Sequence, residues 1–366
     1  MSPRPLLSYV VVAVLWLALA ACGGDKTDGP QRSPTSAGPP RSFAMGLSSL
    51  PAELTEESYS RAFELAASAG EVIMIQRTPP WEELIAGEVS AETARATQRE
   101  RQLAEEHELD LLVAIDPTDV VGDRSELTSL PPELRGAGFA DEQIRSAFID
   151  YAQYVAENYH PKYLALGVEI NSYQHQHPED FEQFVTLYHQ AYDGVKELSP
   201  ETLVFPIFQL EELQGLLPTD QPYPPQWYLI QRFEPRLDLL AVSSYPGLAF
   251  AAAEDIPDSY VAQLRSYTDR PIVIAGTGYS SADDVNGAED AKEDQQAAYL
   301  RRVLDEAQPL SMPLLVWLVG QDPSFAGDVS LDLLRHIGLL RQDGSKKPAW
   351  SVWARAARRP LAAAGP

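Results

Sequence analysis

Glu169 ends an apolar run, 163-YLALGVEIN-171, in which Leu164, Ala165, Leu166, Gly167 and Val168 precede it. A carboxylate is rarely set at the end of a buried strand without a cation or a chemical task, because desolvating its charge is costly. No Lys or Arg lies between Lys162 and Lys196, so no partner is visible nearby. Glu169 therefore reads as a proton donor or acceptor. Asn171 lies two residues on, and in an extended chain both side chains face the same side. Other strand-like runs end in Ser48, Gln76, Asp116, Gln209, Tyr245, Gly276 and Trp317. This set is polar and aromatic with few charges. Amides and carboxylates bond hydroxyl groups and aromatic faces cover pyranose rings, so the combination suits a carbohydrate. Trp81 and Tyr173, in the loops after the second and fourth runs, are further candidates of this kind. Ordinary core packing is the alternative for each aromatic.

Eight apolar runs must position these residues: 43–49, 72–76, 111–116, 163–171, 202–209, 239–245, 272–277 and 314–319. They are continuous rather than alternating, as expected of strands buried on both faces. Helical stripes lie between them. Ile144, Phe148, Tyr151, Ala152, Val155 and Tyr159 line one face of 141–159, and Phe181, Phe184, Tyr188 and Val195 one face of 178–198. A last amphipathic piece, 331-LDLLRHIGLL-340, follows the eighth run. Strand and helix alternating eight times predict an α/β fold, a (β/α)8 TIM barrel over 42–358 with a tail at 359–366. The alternative is an open doubly wound sheet, but 46-GLSSLP-51 lacks its glycine-rich phosphate loop. In such a barrel, function belongs at the C-terminal strand ends, where the candidates already lie.

Two stretches carry a family resemblance. They are 166-LGVEINSY-173, through Gly167, Glu169, Ile170 and Asn171, and 271-PIVIAGTGYSS-281, through Thr277, Gly278 and Tyr279. With the order of the segments, they resemble the clan A glycoside hydrolases, most closely the galactanase branch. In that clan the fourth strand ends in Asn-Glu, the Glu being the general acid/base. The seventh ends in a nucleophilic Glu, often followed by Thr-Gly and an aromatic. The stretch 243-SSYP-246 is similar to the clan's tyrosine site beside the nucleophile, Trp317 matches the eighth strand, and 338-GLLRQDGSKKPAW-350 looks like the closing helix and tail.

The sequence departs from this pattern twice. Val168 stands where the clan has the Asn that bonds the sugar's 2-hydroxyl, and Gly276 stands at the nucleophile position. Retaining hydrolysis needs two carboxylates about 5–5.5 Å apart, so a glycine there removes the mechanism. An inverting enzyme would need a second carboxylate about 6.5–9.5 Å from Glu169, for which Asp116, Asp283, Asp284 and Asp322 are candidates.

The remaining features bound location and partners. Residues 1–21 form an apolar leader with one charge, Arg4, and Leu19-Ala20-Ala21-Cys22 resembles a bacterial lipobox. Cys22 is the only cysteine, so an intramolecular disulfide is excluded and lipidation is its expected use. Residues 22–41, rich in Gly, Pro, Ser and Thr, read as a flexible tether to a membrane at the cell envelope, on the outer or the cytoplasmic membrane. The net charge of −25 disfavours nucleic acid as a partner. His175 and His177 lack a third metal ligand in the sequence, so neither metal nor cofactor is expected. Three functions remain: a glycoside-hydrolase-like surface lipoprotein binding poly- or oligosaccharide without retaining hydrolysis, an active glycosidase using Glu169 as acid with a non-standard base, and a structural surface protein without ligand.

Overall fold

The computed structural model describes residues 38–119, 124–217, 222–282, 289–325 and 334–362. Nine strand segments form one all-parallel sheet. They are β1 (Ala44–Ser48), β2 (Val72–Arg77), β3 (Asp110–Ile115), β4 (Tyr163–Leu166), β5 (Leu203–Phe205), β6 (Ile207–Gln209), β7 (Leu240–Ser244), β8 (Ile272–Thr277) and β9 (Leu314–Trp317). Their order is β5-β4-β3-β2-β1-β9-β8-β7-β6. The two outermost segments, β5 and β6, are consecutive in the chain and separated by Pro206 alone. Pro206 has no N–H to give to the ladder, so it divides what the sequence shows as one run, 202–209. The chain itself therefore closes the ring, and the fold is the expected TIM barrel. Closure is reinforced where Ile207 N donates to Gly167 O at 3.0 Å, beyond the end of β4.

The predicted helical stripes are buried. The helix Glu142–Tyr159 buries Ile144, Phe148, Tyr151, Ala152, Val155 and Tyr159, and the Asp141 side chain caps its first turn by accepting from the N–H groups of Gln143 and Ile144. The helix Pro178–Leu198 buries Phe181, Phe184, Tyr188 and Val195.

Two expectations change. The run 163–171 is not strand throughout: β4 stops at Leu166, and a short helix, Ile170–Gln176, starts after Glu169. The helix expected over 331–340 does not extend through its described part, 334–340, where Leu340 instead forms bridges to Gln321 and Lys346. There the Gly338 backbone packs against Asp322, leaving a Cβ only 2.5 Å from Asp322 N, and Gly338 N donates to Asp322 Oδ1 at 2.8 Å. Pro348–Ala357 is the closing helix, and its Trp353 indole donates to Ala69 O at 2.8 Å.

The expected leader, Cys22 and residues 22–37 of the tether lie outside the described residues, as do Asp283 and Asp284. Beyond them, Arg41 N donates to Pro360 O at 2.9 Å and Ala362 N to Arg41 O at 2.8 Å, so residues read as tether and tail pair with each other.

Candidate active site

The site is built on a sharp turn. Gly167 has φ +97, and a Cβ there would lie 2.7 Å from Phe184 Cζ, so both conformation and space require glycine. Glu169 itself adopts a left-handed conformation, φ 50 and ψ 39. A non-glycine residue held there costs on the order of 1 kcal/mol, a cost met by the surrounding contacts. Glu169 is thereby turned out of the line of β4, toward Ser243 of β7 and the loop after β3.

Both of its carboxylate oxygens are engaged. Oε1 accepts from Ser243 Oγ at 2.6 Å and Oε2 from Arg124 Nε at 2.7 Å. Arg124 comes from the loop after β3 and is held on its other side by Asp116. Its Nη1 donates to Asp116 Oδ1 at 3.0 Å and Oδ2 at 3.1 Å, to Thr118 Oγ1 at 3.0 Å and to Val168 O at 3.2 Å. Gln76 Nε2 completes the line by donating to Asp116 Oδ2 at 2.6 Å. Gln76, Asp116, Arg124, Glu169 and Ser243 thus form one bonded chain across the mouth of the barrel. Side-chain exposure is 1% for Asp116, 10% for Arg124 and 15% for Glu169, so the carboxylate of Glu169 is its most accessible charge.

Arg124 corrects the sequence reading that Glu169 lacks a cation. It stands 45 residues upstream, in a loop whose ends are joined by the Thr118–Leu127 bridge, where no search of the flanking sequence would find it. Burial pushes the Asp116 carboxyl above the usual carboxylate range, more than Arg124 pulls it down, and the Glu169 charge adds to the rise. Burial works to lower the Arg124 pKa, yet the charges of Asp116 and Glu169 outweigh it and hold the guanidinium more firmly protonated than usual.

Gly276 stands beside this cluster, because it is the register partner of Ser243, the residue that holds Glu169. A Cβ at 276 would meet Tyr245 Oη at 3.4 Å and Leu318 Cδ1 at 3.7 Å, both ordinary contacts. The position thus has room for the first atom of a side chain and faces the Tyr245 hydroxyl. Tyr245 is buried, and burial, then the nearby Glu169 charge, raises its pKa well above that of a free phenol.

The structure therefore brings together Gln76, Asp116, Glu169, Tyr245 and Gly276. It places the other candidates differently. Asn171 is fully buried, donating to Gln209 O at 3.0 Å and accepting from Gln209 N at 2.8 Å, because it sits on the new helix rather than on an extended strand. The Gln209 side chain bonds Glu211 Oε2 and Glu212 N, each at 2.6 Å. Tyr173 donates to Asp180 Oδ2 at 2.6 Å, Trp81 to Thr128 O at 2.9 Å and Trp317 to Ile337 O at 2.7 Å, and all three rings are buried. These residues support the mouth from within. Asp322 lies in a separate ion pair, 2.6 Å from Lys347 Nζ.

Four participants escaped the sequence reading: Arg124, Ser243, Glu211 and Glu212. The acidic pair in 210-LEEL-213 follows the fifth predicted run directly, which was the available signal. Glu211 is fully buried and accepts from Gln209, Ser244 and Tyr260. Glu212 accepts from Ser172, and burial raises its pKa, with Glu169 adding to the rise and His175 opposing it. Among the described residues, no three His, Cys, Asp or Glu side chains are grouped to hold a metal ion. No helix among them is long and apolar enough to cross a membrane.

No known family profile and no curated protein sequence matches the chain. Solved structures do. An exo-beta-1,4-mannosidase from Opitutaceae bacterium strain TAV5 superposes with a TM-score of 0.66 at 16% identity, over 86% of this chain and 59% of that one. The chain thus spans under two thirds of that enzyme's length. A GH5_18 protein from Streptomyces cattleya, solved in complex with GlcNAc, gives 0.67 at 18% identity, covering 87% of this chain and 80% of its own. A family 39 glycoside hydrolase from Bacteroides cellulosilyticus WH2 gives 0.57 at 16%, covering 87% and 64%. At such identities the likeness concerns architecture, and what this chain shares with these glycoside hydrolases is their TIM-barrel fold.

Proposed function

We propose that this protein is a carbohydrate-binding barrel of glycoside-hydrolase type that does not carry out retaining hydrolysis. The observation that carries the reading is the pairing at the mouth. Glu169 is held by Ser243, and the residue in register with Ser243 on the next strand is Gly276, which has no carboxylate to offer. A double displacement needs an attacking oxygen at that place. Each Glu169 oxygen accepts one hydrogen bond, from Arg124 or Ser243, and keeps a second lone pair for a ligand hydroxyl. The carboxylate, the Gln76 amide and the hydroxyl of Tyr245 remain suited to sugar hydroxyls. Solved neighbours bind Manβ1–4GlcNAc and GlcNAc, which makes these the first ligands to try. The reading includes acylation of Cys22 and attachment at the cell envelope, which labelling with a palmitate analogue tests against Cys22→Ser.

The test is a panel of β-glycans, mannan- and galactan-derived oligosaccharides included, assayed for binding and turnover with wild type and Glu169→Gln. Binding without turnover is expected. Turnover abolished by Glu169→Gln would instead establish the second reading, a working glycosidase. That reading has its own support in Asp116 and Glu212, two carboxyl groups raised in pKa and electrostatically coupled to Glu169.

A further inference from the structure

A polar and aromatic patch adjoins Glu169 along the helix that follows it. The helix Ile170–Gln176 starts directly after Glu169 and carries Gln174 and His175. The segment following β6 contributes Glu212, and Gln226 N donates to Leu213 O at 2.8 Å, tying the 222–231 stretch against it. That stretch brings Tyr223, 5.3 Å ring to ring from His175, and Tyr228, whose hydroxyl lies 3.5 Å from Gln174 Nε2. The Asn171–Gln209 bonds hold helix and strand end together beneath.

Three features set this patch apart from an ordinary solvated rim. Tyr228 is 57% exposed, the most exposed large side chain of its kind among the described residues. Gln174 Oε1 and Gln226 Oε1 are shielded from solvent and have no hydrogen-bond partner among the described residues. Shielded amide oxygens without partners are uncommon because each forfeits its hydration, and a small side-chain rotation would offer them to a ligand donor. Finally, partial burial and then the nearby Glu212 charge push the Tyr223 phenol up to about 12. An exposed ring, two unsatisfied amide oxygens and a carboxylate together match what holds a pyranose: an apolar face to cover and hydroxyl protons to accept.

We propose that Gln174, His175, Glu212, Tyr223, Gln226 and Tyr228 form a saccharide subsite for a neutral pyranose residue, next to the residue that lies against Glu169. The proposal rests on the carbohydrate-binding reading and extends it to ligands of at least two residues. Tyr228 supplies the stacking face and the two amides supply hydroxyl acceptors.

Calorimetric titration with Manβ1–4GlcNAc, mannotetraose and galactotetraose, and with mannose, galactose and GlcNAc alone, tests it. Tyr228→Ala and Gln174→Ala are each expected to weaken the longer ligands roughly tenfold while leaving monosaccharide binding within about twofold. Tyr228→Phe, which keeps the ring, is expected to bind as wild type. Tyr228 is exposed and Gln174 makes one long contact, so neither change should disturb folding. Oligosaccharide affinity unchanged in both alanine variants overturns the subsite. In that event, binding by wild type that Glu169→Gln weakens leaves the carbohydrate reading standing. No binding of any probe by wild type overturns both.

Discussion

The two halves of the barrel mouth differ in how they hold their polar groups. On the side of β2, β3 and β4, two carboxylates share one guanidinium, and Asp116, Arg124 and Glu169 depend on each other for solvation. On the side of β8 and β9 the bonds join neutral groups. Thr277 Oγ1 lies 2.6 Å from Ser244 O and 2.7 Å from Tyr299 Oη, and Trp317 donates to a backbone carbonyl. Gly276 sits in that neutral wall with no group of its own. A retaining glycosidase divides its charge between two opposing carboxylates. Here two carboxylates and one guanidinium lie together on one side.

That contrast can be broken most strongly at Arg124. Arg124→Ala strands the buried Asp116 carboxylate and unpairs the partly buried Glu169, and should cost about 3–5 kcal/mol, measured by urea unfolding. Arg124→Lys is expected to recover only part, since one ammonium cannot bridge both carboxylates as the guanidinium does. A loss below about 1 kcal/mol in Arg124→Ala would mean the charged half is not interdependent.

The next effect concerns Glu211, the buried carboxyl between the two halves. Its folded-state pKa is raised, burial being the main cause, so the folded chain holds the proton more tightly than the unfolded one. Its contribution to stability is full below the unfolded pKa and is lost as pH rises through the folded pKa. Glu211→Gln keeps a neutral group there, and Ser244 and Tyr260 can turn their hydroxyls to accept from it. The variant should therefore gain on wild type as pH rises above the ordinary carboxylate range and through the raised folded-state pKa of Glu211, read from melting curves taken across that range.

The smallest effect is expected in the neutral wall. Gly276→Ala places its Cβ at ordinary contact distances, so stability should change by less than about 1 kcal/mol. Gly276→Glu sharpens the comparison by placing a carboxylate at the register partner of Ser243. Measurable hydrolysis of an aryl β-glycoside by this variant alone would show that the rest of the site survives. Glycan affinity reduced in Gly276→Ala would show that the wall itself contacts ligand.

The barrel was legible in the sequence because buried parallel strands print continuous apolar runs, and each of the eight runs contains strand in the structure. Glu169 was legible for the same reason, as a charge that breaks such a run. Arg124 was not, because ion-pair partners are chosen in space, and a loop residue 45 positions away carries no periodic mark. Asn171, Tyr173 and Trp317 were read as facing a ligand because residue type says nothing about direction. The left-handed turn at Glu169 redirects Asn171 and Tyr173, and Trp317 turns its indole to the chain after β9. Glu211 and Glu212 resemble the acidic first turn of any helix, and only their burial distinguishes them.

The pairing of Arg41 with Leu361 has a consequence for how the molecule is presented. Arg41 precedes β1 and so lies at the end of the barrel where strands begin, while Glu169 lies where they finish. The described residues that lead into and out of the barrel therefore meet at its floor. Anything joined to the barrel at Arg41 or Leu361 would then sit at the end opposite Glu169.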